Sequence, residues 1–391
     1  MKYFSVPADF KKETIDEYVR LNHDYRDAKI VETYGNITVG DNLGSGRVVS
    51  SLPRADLLDL LEYIKYAKER DIGFNYTLNN PYMQNREFTD EGVKDILEHL
   101  GGLYEIGVRT LTISMPSLIS LVKNSQYDFK VKVSTICHIT NVNKARAFLR
   151  MGIERLVLDE SIHRDFKTLR RIVDAAGDKC ELIVNTMCHR NCIYRPFHYN
   201  QTGGDSVGKS NEVAVNFFEH NCMLQRYENM SELLKLGWIR PEDLKYYTGI
   251  GIHYFKLQGR QHVLNGNHIR AIECYFKESY DGNLMDLLDM FNFRYSFKVY
   301  LDNKKLDGFI TPFVNQENFC RNDCSHCRYC EAFAPKCMDR KEAEATIKAA
   351  KKFYHEFDQF KGLIDRLNPP RAAEQGVQIG GGNVNTEFAL D

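Results

Sequence analysis

Short apolar, β-branched runs recur through the first 260 residues, and most are followed by a stretch of helical periodicity. Seven of them read as strands: residues 29–34, 73–78, 110–115, 131–135, 155–159, 181–186 and 253–258. Amphipathic segments lie between them. Residues 52–70 set Leu57, Leu60, Leu61, Ile64 and Ala67 on one helical face, with Pro53 suited to a first helical turn. Residues 143–151 and 164–176 read the same way. Strands alternating with helices predict a parallel sheet covered on both faces. The expected fold class is α/β, a TIM-like (β/α) barrel with an irregular eighth position. A doubly wound open sheet is the alternative, but no Gly-x-Gly-x-x-Gly follows the first strand to give it a dinucleotide site.

After residue 260 the pattern changes. Residues 261–280 look helical, 296–301 resemble a strand, and 340–367 form a charged helical stretch. From Asn368 the chain is rich in Pro and Gly. Three parts are expected: a barrel over residues 1–284, a Cys-rich extension with a helix over 285–367, and a flexible tail over 368–391.

The chain has 391 residues, 43% of them hydrophobic and 27% charged, enough for one large core or two modest ones. A net charge of −1 supplies no global field to draw in nucleic acid or a membrane surface, which leaves only local basic patches for that role. The N-terminal stretch lacks the apolar run of a signal peptide, and no run reaches bilayer length. The expected location is cytoplasmic, with no membrane partner. In that compartment eleven cysteines read as thiolates and ligands rather than as a disulfide framework.

Eight of those cysteines fall into two groups: Cys188, Cys192 and Cys222, then Cys320, Cys324, Cys327, Cys330 and Cys337. Cys324-x-x-Cys327-x-x-Cys330 can wrap one corner of a cubane, each thiolate on a different iron, so the cadence is that of a 4Fe-4S cluster. Zinc is the alternative, although zinc sites more often use two separated Cys-x-x-Cys knuckles. Plain buried thiols suit the second group poorly, because its neighbours are Arg, Asn, Asp, Ser and His. One cluster or two are open. Cys188 and Cys192 are four apart, so on one helical turn both thiolates would face the same way.

In a (β/α) barrel the chemistry sits at the C-terminal ends of the strands. That rule picks out Arg47 after the first predicted strand, Asn79 and Asn80 after the second, and Cys137 and His138 after the fourth. Asp159 and Glu160 end the fifth, Arg195 and His198 follow the sixth, and Lys256 and Arg260 close the seventh. Arg47, Asn79, Arg195, Lys256 and Arg260 are the candidate substrate contacts. Several cations on one rim suit an anionic small molecule or a nucleic-acid phosphate. His138, Glu160 and His198 are the candidate proton carriers.

Three runs carry a resemblance: STICHITNVNKARAFLRMGIERLVLDESIHRDF, then ELIVNTMCHRNCIYRPFHYN, then IRPEDLKYYTGIGIHYFKLQGR. In order and spacing they resemble the collagenase-like peptidase family U-32. The last run carries that family's Lys-x-x-Gly-Arg element as Lys256, Gly259 and Arg260. The resemblance implies a TIM-like barrel, and in several members an iron–sulfur cluster on cysteines after the sixth strand. It also implies hydroxylation without dioxygen, on RNA bases or ubiquinone precursors, with prephenate as oxygen donor for some members. The ligand spacing departs from the family: Cys188-x3-Cys192 is a shorter gap, and Cys222 has no cysteine near it. Cys137 is the first candidate for a fourth ligand, with His198 or a C-terminal cysteine behind it, while Cys274 reads as helix packing. The second group resembles what short members carry after Leu-Asp-Gly-Phe, here residues 306–309, with Cys320, Cys324, Cys327 and Cys330 as ligands and Cys337 spare or exchanged.

Three function classes follow. The family name says peptidase, yet no His-Glu-x-x-His helix, Gly-x-Ser-x-Gly elbow or demanding acid pair is present. An iron–sulfur oxidoreductase, a hydroxylase of a small molecule or RNA base, explains the cysteines better. A non-catalytic protein braced by metal is the third. The expected partners are an anionic substrate or donor, a redox partner protein and RNA.

Overall fold

The computed structural model describes residues 1–207, 216–261, 263–290 and 297–368. Eight parallel strands close into a barrel in chain order. They are β1 (Lys2–Pro7), β2 (Ala28–Gly35), β3 (Gly73–Leu78), β4 (Thr110–Ile113), β5 (Lys130–Val133), β6 (Arg155–Val157), β7 (Cys180–Ile183) and β8 (Tyr254–Lys256). Helices lie between them, so the fold is a TIM-like α/β barrel.

The sequence reading missed β1. Its six residues hold only two strong outward apolar positions, Phe4 and Val6, separated by Ser5 and followed by Pro7. Strand pairing comes from both neighbours. Tyr3, Phe4 and Ser5 pair with Tyr254, Phe255 and Lys256 of β8, and all six residues pair with β2 across a register shift between Phe4 and Ser5. The other strands fall where the apolar runs predict them, with ends shifted by up to three residues: β2 is a residue longer at each end, β3 is as predicted, and the rest end earlier.

The helix expected over 52–70 begins later, at Leu57. Asp56 caps it by accepting from the backbone amides of Leu58 and Asp59, and Asp59 bonds back to the Asp56 amide. Leu60, Tyr63, Ile64 and Ala67 are buried, whereas Leu57 and Leu61 are exposed. The charged stretch at 340–367 is two helices, Arg340–Glu356 and Gln359–Leu367. Residues 297–301 form no strand. The tail, from residue 369, lies outside the described residues. The apolar core runs on from the barrel into the C-terminal segment through Phe309, Phe313, Phe333 and Ile347. No helix of the described residues is long and apolar enough to cross a membrane.

Outward strand residues such as Phe4, Ile30, Leu111, Val131, Leu156, Leu182 and Phe255 are wholly buried against the helices. The inward ones are polar. Thr112 donates to Asn75 at 2.8 Å, and Ser5 donates to Glu32 at 2.6 Å. Lys132 bridges Glu32 and Glu181, its Nζ 2.6 Å from the Glu181 carboxylate. Burial pushes the Lys132 pKa down, but the two carboxylates outweigh it and hold the lysine above its ordinary value. Lys256, on β8, is different. Burial draws it down to about 7, with Glu181 opposing and Lys132 assisting.

Two outcomes follow. Lys132→Met leaves two facing carboxylates buried, so it should destabilise by about 3–5 kcal/mol in urea unfolding. Adding Glu32→Gln and Glu181→Gln should recover much of that loss. The second concerns pH. Between about 7 and the ordinary lysine value of 10.5, the unfolded chain holds a proton at residue 256 that the folded chain lacks. The stability of the wild type relative to Lys256→Met should therefore rise with pH across that window. A flat difference would show that Lys256 is not a depressed amine.

Candidate functional site

The loop after β2 and the turn after β8 meet over the barrel mouth. Gly44, at φ +69°, lets that loop lie against the helix Arg195–Ser206, where a Cβ would strike Ser206 and Val207. Asn79 accepts from the Gly46 amide at 2.9 Å and so fixes the approach to Arg47. A cavity of ≈ 50 Å³ lies below, lined by Tyr34, Arg47, Asn79, Tyr199, Lys256 and Arg260 among others. Arg47 donates to Gln261 at 3.3 Å and to the Gly46 carbonyl at 2.7 Å. Arg260 is 6% exposed and donates to Asn36 and, at 3.4 Å, to Ser45. Neither guanidinium has an ion-pair partner among the described residues. Burial, with Arg47 beside it, lowers Arg260 to about 10.

Next to this cavity is a charged relay. His138, in the left-handed region at φ 50°, places Nδ1 2.7 Å from Asp159. Arg195 reaches Asp159 at 3.0 Å and Glu160 at 3.3 Å, and Thr135 donates to Glu160 at 3.1 Å. Burial raises the Asp159 pKa, but the bonds from His138 and Ser161 and the charge of Arg195 hold it far below the usual carboxylate range. Burial, with Arg47 nearby, lowers His198 to about 4, so this imidazole is neutral near neutral pH.

Cys188 adjoins the same charges. Its thiol is pushed up to about 12, first by burial and then by Glu160, with Cys222 adding and Arg195 opposing. Cys222, on the helix Phe217–Arg226, feels Cys192 in the same way. The three thiols of the first group therefore lie in one neighbourhood. The segment from 188 to 192 is a loop rather than a helical turn. His189 pairs with Leu236, Gly237 donates to the Cys188 carbonyl at 2.9 Å, and Asn191 takes φ 57° to bring the chain back. Cys137 turns away: its thiol donates to the Ser114 carbonyl at 2.8 Å, and its charged neighbour is Lys144.

Cys320, Cys324, Cys327 and Cys330 line a second cavity of ≈ 760 Å³. Cys330 feels both Cys320 and Cys324. Cys337 is apart and buried, its thiol directed at the carbonyls of Phe333 and Ala334. Cys274 is partly buried in the helix His268–Lys277. Among the described residues no three His, Cys, Asp or Glu side chains are gathered closely enough to hold a single metal ion.

Arg190, which the sequence reading passed over, joins the two groups. It stands between Cys188 and Cys192, and its guanidinium lies 3.5 Å from the Cys320 sulfur. Burial raises the Cys320 pKa, but Arg190, the Asn322 backbone amide and Arg164 together outweigh it and the thiol ends below its ordinary value. Arg164 lies behind, buried against Trp238 at 4.5 Å and Phe309 at 4.9 Å. Burial, with Arg190 near, lowers Arg164 to about 10. Its position inside a charged helix-start pattern gave no sign of this role. Tyr199, also unforeseen, links the parts: it lines the mouth cavity and feels Glu160, Cys188, Arg195 and Arg47.

Comparison with known proteins bears on the family. The sequence model of peptidase family U32 matches residues 52–193. The chain is 31% identical over 337 residues to an uncharacterised protease of Methanocaldococcus jannaschii, MJ1657, covering 85% of this chain and 98% of that one. Among solved structures, the U32 peptidase Mk0906 is similar with a TM-score of 0.48 and 15% identity, over 66% of this chain and 93% of that one. The match in sequence along nearly the whole of MJ1657, with the family's own pattern spanning β3 to the first cysteine pair, places the chain in peptidase family U32.

Proposed function

We propose that this U32 protein is an iron–sulfur oxidoreductase that modifies an anionic small molecule or RNA base without dioxygen, with hydroxylation as the reaction. The observation that carries the reading is the meeting of Cys188, Cys192 and Cys222 with the Glu160–Arg195 pair at the barrel mouth. The donor set fits such a group. Cysteines bind iron as thiolates, and cations lie beside them: Arg195 by Cys188, Arg226 by Cys222, and Arg190 and Arg164 by Cys320 and Cys330. The first group offers three sulfurs, which leaves one position for a substrate or another ligand. Cys320, Cys324, Cys327 and Cys330 offer a complete set of four.

A bound cluster would supply single electrons to the mouth. The chain's own residues do the rest. Arg47 and Arg260 hold the anion, and Lys256 lies beside it. Asp159, kept ionised, fixes the His138 ring so that Nε2 is free to give or take a proton. His198 offers a neutral hydrogen-bonding ring next to Arg47 rather than a second charge. Arg190 gives a short electrostatic connection between the two cysteine groups. Lys235, Lys348 and Lys351 on the larger cavity give an acidic redox partner an approach.

Peptide hydrolysis is the second reading, favoured by the His138–Asp159 pair, which has the geometry of the orienting half of a nucleophilic triad. The adjacent thiol does not complete it. Cys137 bonds a backbone carbonyl, and burial pushes its pKa up to about 12. The name of MJ1657 is consistent with this reading.

Protein purified anaerobically should be brown and hold iron with acid-labile sulfide. Cys188→Ala should remove one cluster, and Cys324→Ala with Cys327→Ala the other. Stoichiometric zinc in a colourless protein would end the redox reading. Arg260→Lys keeps the charge but loses the planar fork, so it should weaken anion binding by about tenfold or more while the iron content holds. If cluster-free protein still cleaved peptides at the full rate of the holoprotein, the hydrolytic reading would replace this one.

A further inference from the structure

Two lysines face the barrel interior in opposite circumstances. Lys132 is held as a cation by Glu32 and Glu181. The Lys256 amine forms no hydrogen bond and no ion pair among the described residues. Its Nζ lies 3.7 Å from the centre of the Tyr34 ring and borders the mouth cavity. The carboxylate nearest in influence, Glu181, gives its Oε2 to Lys132 at 2.6 Å, with Arg155 3.8 Å from the same oxygen, and forms no ion pair with Lys256. A burial-depressed lysine at about 7 carries a free amine lone pair for a large share of the time near neutral pH. An amine in that state at a strand end is a nucleophile toward carbonyl carbon.

The cavity also contains two guanidinium groups with no acid partner, Arg47 and the almost wholly buried Arg260. Their shared neighbour Tyr34 spends its hydroxyl on the Leu257 carbonyl at 2.8 Å, so it supplies no counter-charge. A carboxylate satisfies such a pair. A cavity of ≈ 50 Å³ admits a compact ligand rather than a long one. A compact carboxylate held there brings its neighbouring carbon toward Lys256.

We propose that Lys256 forms an imine with the carbonyl carbon of a small 2-oxo acid whose carboxylate is held by Arg47 and Arg260. This deepens the anion-binding part of the function proposed above and rests on it for the two guanidinium groups. The Nζ lone pair forms the new C–N bond, and the C=O bond breaks. Both amine hydrogens leave with that oxygen as water. Nothing is oxidised or reduced in the step.

The test uses the anaerobically purified full chain, with iron and sulfide counted on the same sample. It is incubated near neutral pH with sodium cyanoborohydride and either pyruvate or acetone, a neutral carbonyl of similar size. Intact mass and peptide mapping locate the reduced adduct. Pyruvate should label Lys256 ahead of exposed lysines such as Lys12 and Lys341. Lys256→Arg should abolish that label. Arg260→Gln should slow pyruvate labelling about tenfold more than acetone labelling, because only pyruvate has the carboxylate. Labelling of Lys256 no faster than of Lys12 would overturn the imine, and equal sensitivity of both probes to Arg260→Gln would overturn the carboxylate site. Trapping at Lys256 in a sample without iron would support the imine and sink the redox reading. An iron-loaded sample that traps nothing would sink the imine alone.

Discussion

Buried charge needs a partner, and this barrel pairs some of its buried cations with acids and leaves others without an ion pair among the described residues. The requirement is met low in the barrel, where Lys132 lies between Glu32 and Glu181. It is met again where Arg195 lies between Asp159 and Glu160. It is not met at Arg260, Arg164 or Lys256, which are more than nine-tenths buried and form no ion pair among the described residues. A folded chain carries such groups at a cost unless something anionic joins them. The places where the protein lacks its own anions are therefore the places where chemistry is expected. They are the mouth cavity, with Arg260 and Lys256, and the second cysteine group, with Arg164.

The topology gathers these places. Parallel strands put every C-terminal end on one rim, so residues from β2, β5, β6, β7 and β8 reach one surface although they are spread along the chain. The cysteines of the first group come from the loop after β7 and from the helix Phe217–Arg226. The second group comes from beyond the barrel. The aromatic packing of Phe309, Phe313, Tyr329 and Phe333 holds it in place, with Phe309 and Phe333 centroids 5.0 Å apart. Arg190 is where the two meet, since it belongs to the first segment and touches a sulfur of the second.

Much of this was legible in the sequence for a physical reason. A strand buried against helices shows apolar residues in a run or in alternation, and β2 to β8 all do. β1 does not, because an inward-facing Ser5 and the flanking Pro7 dilute a short run, and because its pairing partners are remote in sequence. The strand-end rule found Arg47, Asn79, His138, Glu160, Arg195, Lys256 and Arg260 without contacts. It could not separate Lys132 from Lys256, since both are lysines in short apolar strands and only the surrounding carboxylates distinguish them. The cysteine spacing grouped Cys324, Cys327 and Cys330, which line one cavity, but gave no sign that Cys337 faces backbone carbonyls or that Cys137 points to the end of β4. Arg190 and Tyr199 carry no spacing signal. Their importance comes from what the fold sets beside them.

The central claim is that metal–sulfur groups occupy the two cysteine groups, with the neighbouring cations Arg195, Arg190 and Arg164 offsetting their charge. Diffraction from crystals of the anaerobically prepared protein, collected on both sides of the iron absorption edge, tests it directly. Anomalous density for iron should appear against the sulfurs of Cys188, Cys192 and Cys222, and again against Cys320, Cys324, Cys327 and Cys330, with Arg190 between the two. Density at the zinc edge alone, or free thiols at both places in protein never exposed to air, would contradict it.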